Sequence, residues 1–376
     1  MKVCVCTAGD AREPRGARHA MTLAKSNPRW HVVFVDTLAR GSRCDTPKTL
    51  EGLPNLSRRT LFYPHRRSGV VPLAMQKLRT ALARRRFLWT GQLRAEAIWS
   101  HAAAASSMLE LVEADVYVAH YVEMLIPAMA VAKRRGSLLV FDCMEYYSDM
   151  GGGQSELERM MIRRAERLCL GACDLVLASS DCLADALAAD YGIERPLVLY
   201  NAPPATSELP PKDASEFRLY WRNAVIGLGQ RGLGDALDAM KLLPKEITLH
   251  LQGNLPQDGG NLLRREIQAR GLSDRVIIHP PHRPEEAVLA ASANTVGLCL
   301  ERPGIQNHEL TVSNKIFDYM MGGLAVVASD LPGLRDVVDR SGGGVLFRPG
   351  SANDLAEAIL RLYRDRDVLV ELASRA

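Results

Sequence analysis

Ser313-Asn314-Lys315-Ile316-Phe317-Asp318-Tyr319-Met320-Met321-Gly322-Gly323, followed by Leu324-Ala325-Val326-Val327-Ala328-Ser329, decides how the second half of this 376-residue chain folds. Lys315–Met321 is a short helical run with Ser313 as a suitable N-cap, and Gly322-Gly323 stops it and turns the chain. Ala325–Ala328 then reads as a strand, and Ser329-Asp330-Leu331-Pro332-Gly333 turns into another helix. A helix start near the carboxyl end of a strand offers free backbone N–H groups and about half a positive charge, which suits a diphosphate. Lys315 adds a point charge there. Asp318, one turn on, can accept two hydrogen bonds, as vicinal ribose hydroxyls would supply.

Outward from this stretch, short apolar runs alternate with longer helical patterns. Strands are expected at Lys2–Thr7, His31–Asp36, Val116–His120, Leu138–Asp142, Leu175–Ala178 and Leu197–Tyr200. A second series is expected at Arg218–Trp221, Thr248–Gln252, Val276–His279, Val296–Cys299, Ala325–Ala328 and Gly344–Phe347. Helices fill the intervals, among them Arg15–Ser26, Pro72–Thr90, Arg94–Val112 and Lys315–Met321. Such alternation predicts an α/β chain of two Rossmann-like, doubly wound domains facing a central cleft. The first covers 1–204, a Pro-rich linker covers 205–216, and the second covers 217–376.

With 47% hydrophobic and 24% charged residues, the chain can bury two soluble cores. A net charge of only +4 gives no global argument for nucleic acid. The eight cysteines form no CxxC pair, which points to buried thiols in a reduced, cytoplasmic protein. Met1-Lys2-Val3-Cys4 enters a strand directly, leaving no room for a signal peptide, and no apolar run is long enough to span a membrane. From Gly52 to Ala95 there is no acidic residue, yet Arg58, Arg59, Arg66, Arg67, Lys77, Arg79, Arg84, Arg85, Arg86 and Arg94 all fall there. Region 58–94 is therefore a candidate contact with an anionic acceptor or with lipid headgroups, peripheral at the inner face of a membrane.

The Ser313–Gly333 segment resembles the donor-binding motif of family 4 glycosyltransferases (glycosyl transferases group 1), retaining enzymes of the GT-B fold. The resemblance implies a hexosyltransferase of glycoconjugate or polysaccharide biosynthesis that uses a nucleotide-diphosphate sugar, with no cofactor and no metal. It implies that Asp318 binds the nucleotide ribose. A second family glutamate, eight residues earlier, contacts the transferred sugar; that position is Leu310 here, with Glu309 one out of register. Asn314-Lys315 with Ser313 could take that role. Arg231-Gly232 resembles the family's Lys-Gly grip on the diphosphate, Arg222 the arginine after the preceding strand, and Gly253-Asn254 the glycine turn beside the phosphates. His282 falls where the family holds the base.

In the first half, Gly16 resembles the glycine of the family's loop near donor phosphate and acceptor. His120 resembles the histidine that ends a strand facing the cleft. Asp142 and Glu145 flank the family's next histidine, which is Met144 here. His120, Asp142 and Glu145 are thus the catalytic candidates. The family is described as using same-face attack, with the leaving diphosphate helping to deprotonate the acceptor. Members usually continue into helices that cross back to the first domain, and such a helix is expected to be missing beyond Ala376. Two alternatives stay open: a catalytically inactive partner protein of the same family, and a nucleotide-sugar 2-epimerase of the same architecture. A G-x-G-x-x-G after the first strand is absent, which disfavours a nicotinamide dehydrogenase.

Overall fold

The computed structural model describes residues 1–376 except 12, 41, 43–45, 47–49, 65–69, 205–208, 211–215, 230 and 257–258. The chain divides into one unit of Met1–Ser179 with Leu183–Leu199 and a second of Ser180–Cys182 with Tyr200–Ala376. Most of the expected linker 205–216 lies outside the described residues, as do Arg66 and Arg67.

The first unit holds seven strands: β1 (Lys2–Thr7), β2 (His31–Ala39), β3 (Leu56–Tyr63), β4 (Val116–His120), β5 (Leu138–Cys143), β6 (Leu175–Ala178) and β7 (Leu197–Val198). They form one parallel sheet in the order β3-β2-β1-β4-β5-β6-β7. Central strands bury on both faces, so Val3–Cys6 and Val32–Val35 are apolar without alternation. The expected strands recur here with small shifts at their ends, and β3 is an addition. Its Ser57-Arg58-Arg59-Thr60 is too polar to read as a strand. It forms because it is an edge strand and Asp36 of β2 takes Arg58 (Nη2–Oδ2 2.7 Å) and Thr60 (2.8 Å). The helix expected at Arg94–Val112 is two, Ala95–Ile98 and Ala102–Glu110. At the break, His101 stacks on Tyr63 at 4.2 Å and takes a hydrogen bond from Gln76.

The second unit holds β8 (Phe217–Val225), β9 (Ile247–Asn254), β10 (Val276–His279), β11 (Val296–Cys299), β12 (Ala325–Ser329) and β13 (Gly344–Phe347). The order is β10-β9-β8-β11-β12-β13, again parallel throughout. Parallel strands put all their carboxyl ends on one edge, which is where loop residues gather. The helix Lys315–Met321 forms as the sequence predicts, but its N-cap is Asn314, with no side-chain cap bond, rather than Ser313. A final helix, Arg366–Arg375, packs Leu369 into this unit's own core. The seven described cysteines are all free thiols, five of them buried, so packing and not cross-linking holds both cores.

One packing detail ties the deciding stretch to the sheet. Tyr319 is fully buried against Gly297 in the middle of β11, and a Cβ at Gly297 would lie 2.3 Å from the Tyr319 ring. Neither partner can retreat, because β11 is flanked by β8 and β12. Gly297→Ala is therefore expected to cost about 1–3 kcal/mol through overpacking. Chemical denaturation measures it, and an unchanged midpoint would show that the helix Lys315–Met321 can shift freely.

Candidate functional site

In the second unit three elements meet at the carboxyl edge of β8 and β11. Arg231 and Gly232 precede the helix Leu233–Met240, both with positive φ (49° and 68°). A Cβ at Gly232 would sit 2.6 Å from the Leu300 carbonyl oxygen, so glycine is required there. Arg231 has no such freedom, and its left-handed backbone costs about 1–3 kcal/mol. That backbone aims its guanidinium at the carboxylate of Glu301 (3.1 Å) and the hydroxyl of Ser313 (3.3 Å). Lys315 Nζ donates to the same Glu301 oxygen at 3.1 Å and lies 5.6 Å from the centre of the Trp221 ring.

Glu301 and Lys315 are both buried, and the second Glu301 oxygen has no partner among the described residues. Burial would raise the Glu301 carboxyl, but Lys315 and Arg231 outweigh it and hold it at about 2. Burial pushes Lys315 down, against the pull of Glu301. One carboxylate thus serves two cations, and the cluster keeps a net positive charge suited to an anion. Beside it Arg222 donates through Nη2 to Asp318 Oδ2, while its backbone N–H donates to Tyr319 Oη at 3.0 Å.

Several expected residues stand differently from the sequence-based expectation. Asp318 is buried and already engaged by Arg222, so it is not a free acceptor for ribose in this state. Glu309 turns away, its carboxylate accepting from the Gly304 N–H at 2.7 Å. Gly253 and Asn254 belong to β9 rather than to a turn after it. A Cβ at Gly253 would meet the Asn223 carbonyl oxygen at 2.0 Å, and Asn254 Nδ2 bonds the Ala224 carbonyl, so both seal the irregular β8–β9 pairing. His282 is half-buried and its Nδ1–H donates to the Arg283 carbonyl at 2.7 Å. Asn314 is exposed at the helix start. Glu301 itself escaped notice in the sequence. Its signal was position, a charged residue two places beyond the strand Val296–Cys299 on the edge where ligands bind.

The first unit has its own polar cluster, at the ends of β4 and β5. Arg15 forks onto Asp142 (Nε–Oδ2 2.6 Å, Nη2–Oδ1 2.7 Å), and His120 Nδ1 and His19 Nδ1 lie 3.1 and 3.5 Å from Oδ2. Burial would raise Asp142, but His120 and Arg15 outweigh it and hold it well below the usual carboxylate range. With both oxygens taken by Arg15, Asp142 is an anchor and not a free base. His120 is fully buried; His19, at 16% exposure, is the cluster's open edge. Arg15 and His19 sit four apart on one helix face, a spacing that could have linked them in the sequence. Tyr121, after His120, holds a strained φ of 69°. Glu145 lies three residues past Asp142, its carbonyl accepting from Cys143 Sγ. The Gly16 N–H donates to the Glu13 carboxylate, which caps this helix, at 2.7 Å.

Two all-parallel α/β units joined in this order define the GT-B architecture. Solved structures that share this fold cover the whole of this chain and more than nine-tenths of their own. They include sucrose-phosphate synthase from Thermosynechococcus elongatus (17% identity, TM-score 0.71, covering 100% of this chain and 92% of that one). HepE of Anabaena, solved in complex with UDP, matches at 16% identity and TM-score 0.66, covering 100% and 93%. The lipopolysaccharide outer core galactosyltransferase WaaB matches at 18% and 0.64, covering 100% and 95%. A family model described as glycosyl transferases group 1 matches residues 225–365, which contain Arg231, Glu301, Lys315 and Asp318. No curated protein matches the chain.

Two measurements check these clusters. Glu301→Ala leaves Lys315 buried and unpaired, and is expected to cost about 3–5 kcal/mol. The double change Glu301→Leu with Lys315→Met should recover most of that loss, and equal destabilisation of single and double variants would refute the pairing. Burial holds His19 neutral in the fold, down to about 4 against an ordinary 6.5, so the unfolded chain takes up a proton that the fold refuses. Stability is then full above about 6.5 and falls as pH drops toward 4. His19→Gln should flatten that loss between pH 7 and about 5 by on the order of 1–2 kcal/mol. An acid-denaturation slope identical to the parent's would contradict it.

Proposed function

We propose that the chain is a glycosyltransferase that moves a hexose-type sugar from a nucleotide-diphosphate sugar to an acceptor hydroxyl with retention, without a metal ion. The observation that carries this is the pairing of Arg231 and Lys315 on one buried, ionised carboxylate beside the Arg222–Asp318 pair. Two cations against one Glu301 leave positive charge where a diphosphate would sit. Preorganised charge of that kind stabilises a leaving diphosphate more than it stabilises the bound ground state. On this reading a phosphate draws Arg222 away and Asp318 then accepts from the ribose hydroxyls. The family-model match over this segment and the UDP bound by HepE support the nucleotide class.

The first unit supports a mechanism without an attacking protein carboxylate. Asp142 is neutralised by Arg15, so it is poorly suited to form a covalent sugar intermediate. Same-face attack by the acceptor, with the diphosphate taking its proton, needs no such nucleophile. Metal independence is supported by the donor set. Among the described residues His19, His120 and Asp142 are the group that could hold a cation, and Arg15 already occupies both Asp142 oxygens.

The test is binding and hydrolysis of UDP-, GDP-, dTDP- and ADP-sugars in the presence of a chelator. One of them should raise the melting temperature and be slowly hydrolysed. Arg231→Ala and Asp318→Ala should each weaken that nucleotide about tenfold to a hundredfold, the range for a hydrogen bond to a charged group. Full affinity in both variants would remove the proposed donor site. Binding without hydrolysis or transfer to any acceptor would favour an inactive partner protein.

A further inference from the structure

The helix Val70–Thr90 carries apolar side chains on two sides. Its inner side is accounted for, because Ala83 and Phe87 pack on Ala97 and Met161, and Arg84 reaches the Ala97 carbonyl and Glu158. Its outer side is not. Val71, Met75, Leu78, Leu82 and Trp89 follow one another at helical spacing and are 52–76% exposed, with Leu88 alongside at 60%. Arg85 fills the remaining place in that row and stacks on Trp89 at 4.7 Å. A soluble surface scatters such residues singly; a row of five interrupted only by Arg85 is a docking face.

The charges around the row say what it docks on. Lys77, Arg79, Arg85, Arg86 and Arg94 are exposed, and no acidic residue occurs between Gly52 and Ala95. Beside the row lies an open basin of about 730 Å³, lined by Arg79, Arg85, Arg86 and Arg94 together with Leu82 and Trp89. Glu96 is the one carboxylate on its wall. Arg58 and Arg59 do not contribute, because Asp36 and the Leu111 carbonyl hold them. A second copy of the same face would set arginine against arginine across a twofold axis, which like charges oppose. A surface with anionic groups at one depth and hydrocarbon just below it satisfies both features at once.

We infer that the outer face of the helix Val70–Thr90 seats the protein on an anionic lipid bilayer. Leu78, Leu82 and Trp89 enter the headgroup–acyl boundary and the arginine basin holds lipid phosphates. The contact is peripheral, since no helix among the described residues is long and apolar enough to cross a membrane. It is independent of the transfer reaction, whose proposed donor residues lie in the second unit.

The full chain is sedimented with vesicles of phosphatidylcholine alone and with vesicles enriched in phosphatidylglycerol, at low and high salt. It should bind the anionic vesicles at low salt, lose them at high salt and ignore the neutral ones. The double variant Leu82→Ser with Trp89→Ser should bind anionic vesicles about tenfold more weakly or worse. Its melting temperature and its nucleotide-sugar hydrolysis should stay at the parent's level. No binding, or equal binding to both vesicle types, overturns the inference. So does undiminished binding by the double variant. A concentration-dependent dimer that this variant abolishes would assign the face to self-association instead.

Discussion

Glu301 is the constraint on which the arrangement of the second unit turns. Its carboxylate is buried, stays ionised and is shared by Lys315 and Arg231. Burying Glu301 and Lys315 costs several kcal/mol per ion, and the left-handed backbone at Arg231, whose side chain stays partly exposed, adds strain. These costs bind the loop after β8, the end of β11 and the start of the helix Lys315–Met321 into one rigid group. Hydrophobic packing could have joined the same elements more cheaply. Under the proposed function, the charge retained there is what receives the diphosphate.

The first unit answers with a related device. Arg15 and Asp142 neutralise each other in the interior at the ends of β4 and β5, and two histidines gather on the same carboxylate. Asp142 in the first unit and Glu301 and Asp318 in the second are each held by cations. Under the proposed function, the protein acts through fixed positive charge and placement and not through a free carboxylate base or nucleophile. The basic helix Val70–Thr90 extends the same theme outward. Its arginines are unopposed by acids in sequence and lie beside an apolar row that stays exposed among the described residues.

Much of the fold was legible because buried parallel strands announce themselves. Val296–Cys299, Val276–His279 and Gly344–Phe347 fall where their apolar runs predict. The exception is β3, whose Arg58 and Thr60 look like loop residues until Asp36 is placed beside them. The break near His101 was equally hidden, because it depends on Tyr63 and Gln76 from elsewhere in the chain. The site was legible as a set of residues more than as a set of contacts. Arg231, Ser313 and Lys315 do converge, whereas Glu309 and Gly16 are taken up by local caps and Gly253 by strand pairing.

The sequence by itself determined the alternation of strands and helices, the short helix after Asn314 and the acid-free basic stretch. Those depend on local periodicity, on glycine stops and on composition, all readable along one line. Only the tertiary structure decided that Glu301 mediates between Lys315 and Arg231, that Asp318 is held by Arg222, and that Arg15 spends itself on Asp142. These pairs are separated by 14 to 127 residues. Which carboxylate meets which cation is set by the order of strands in a sheet, and no local pattern encodes that order.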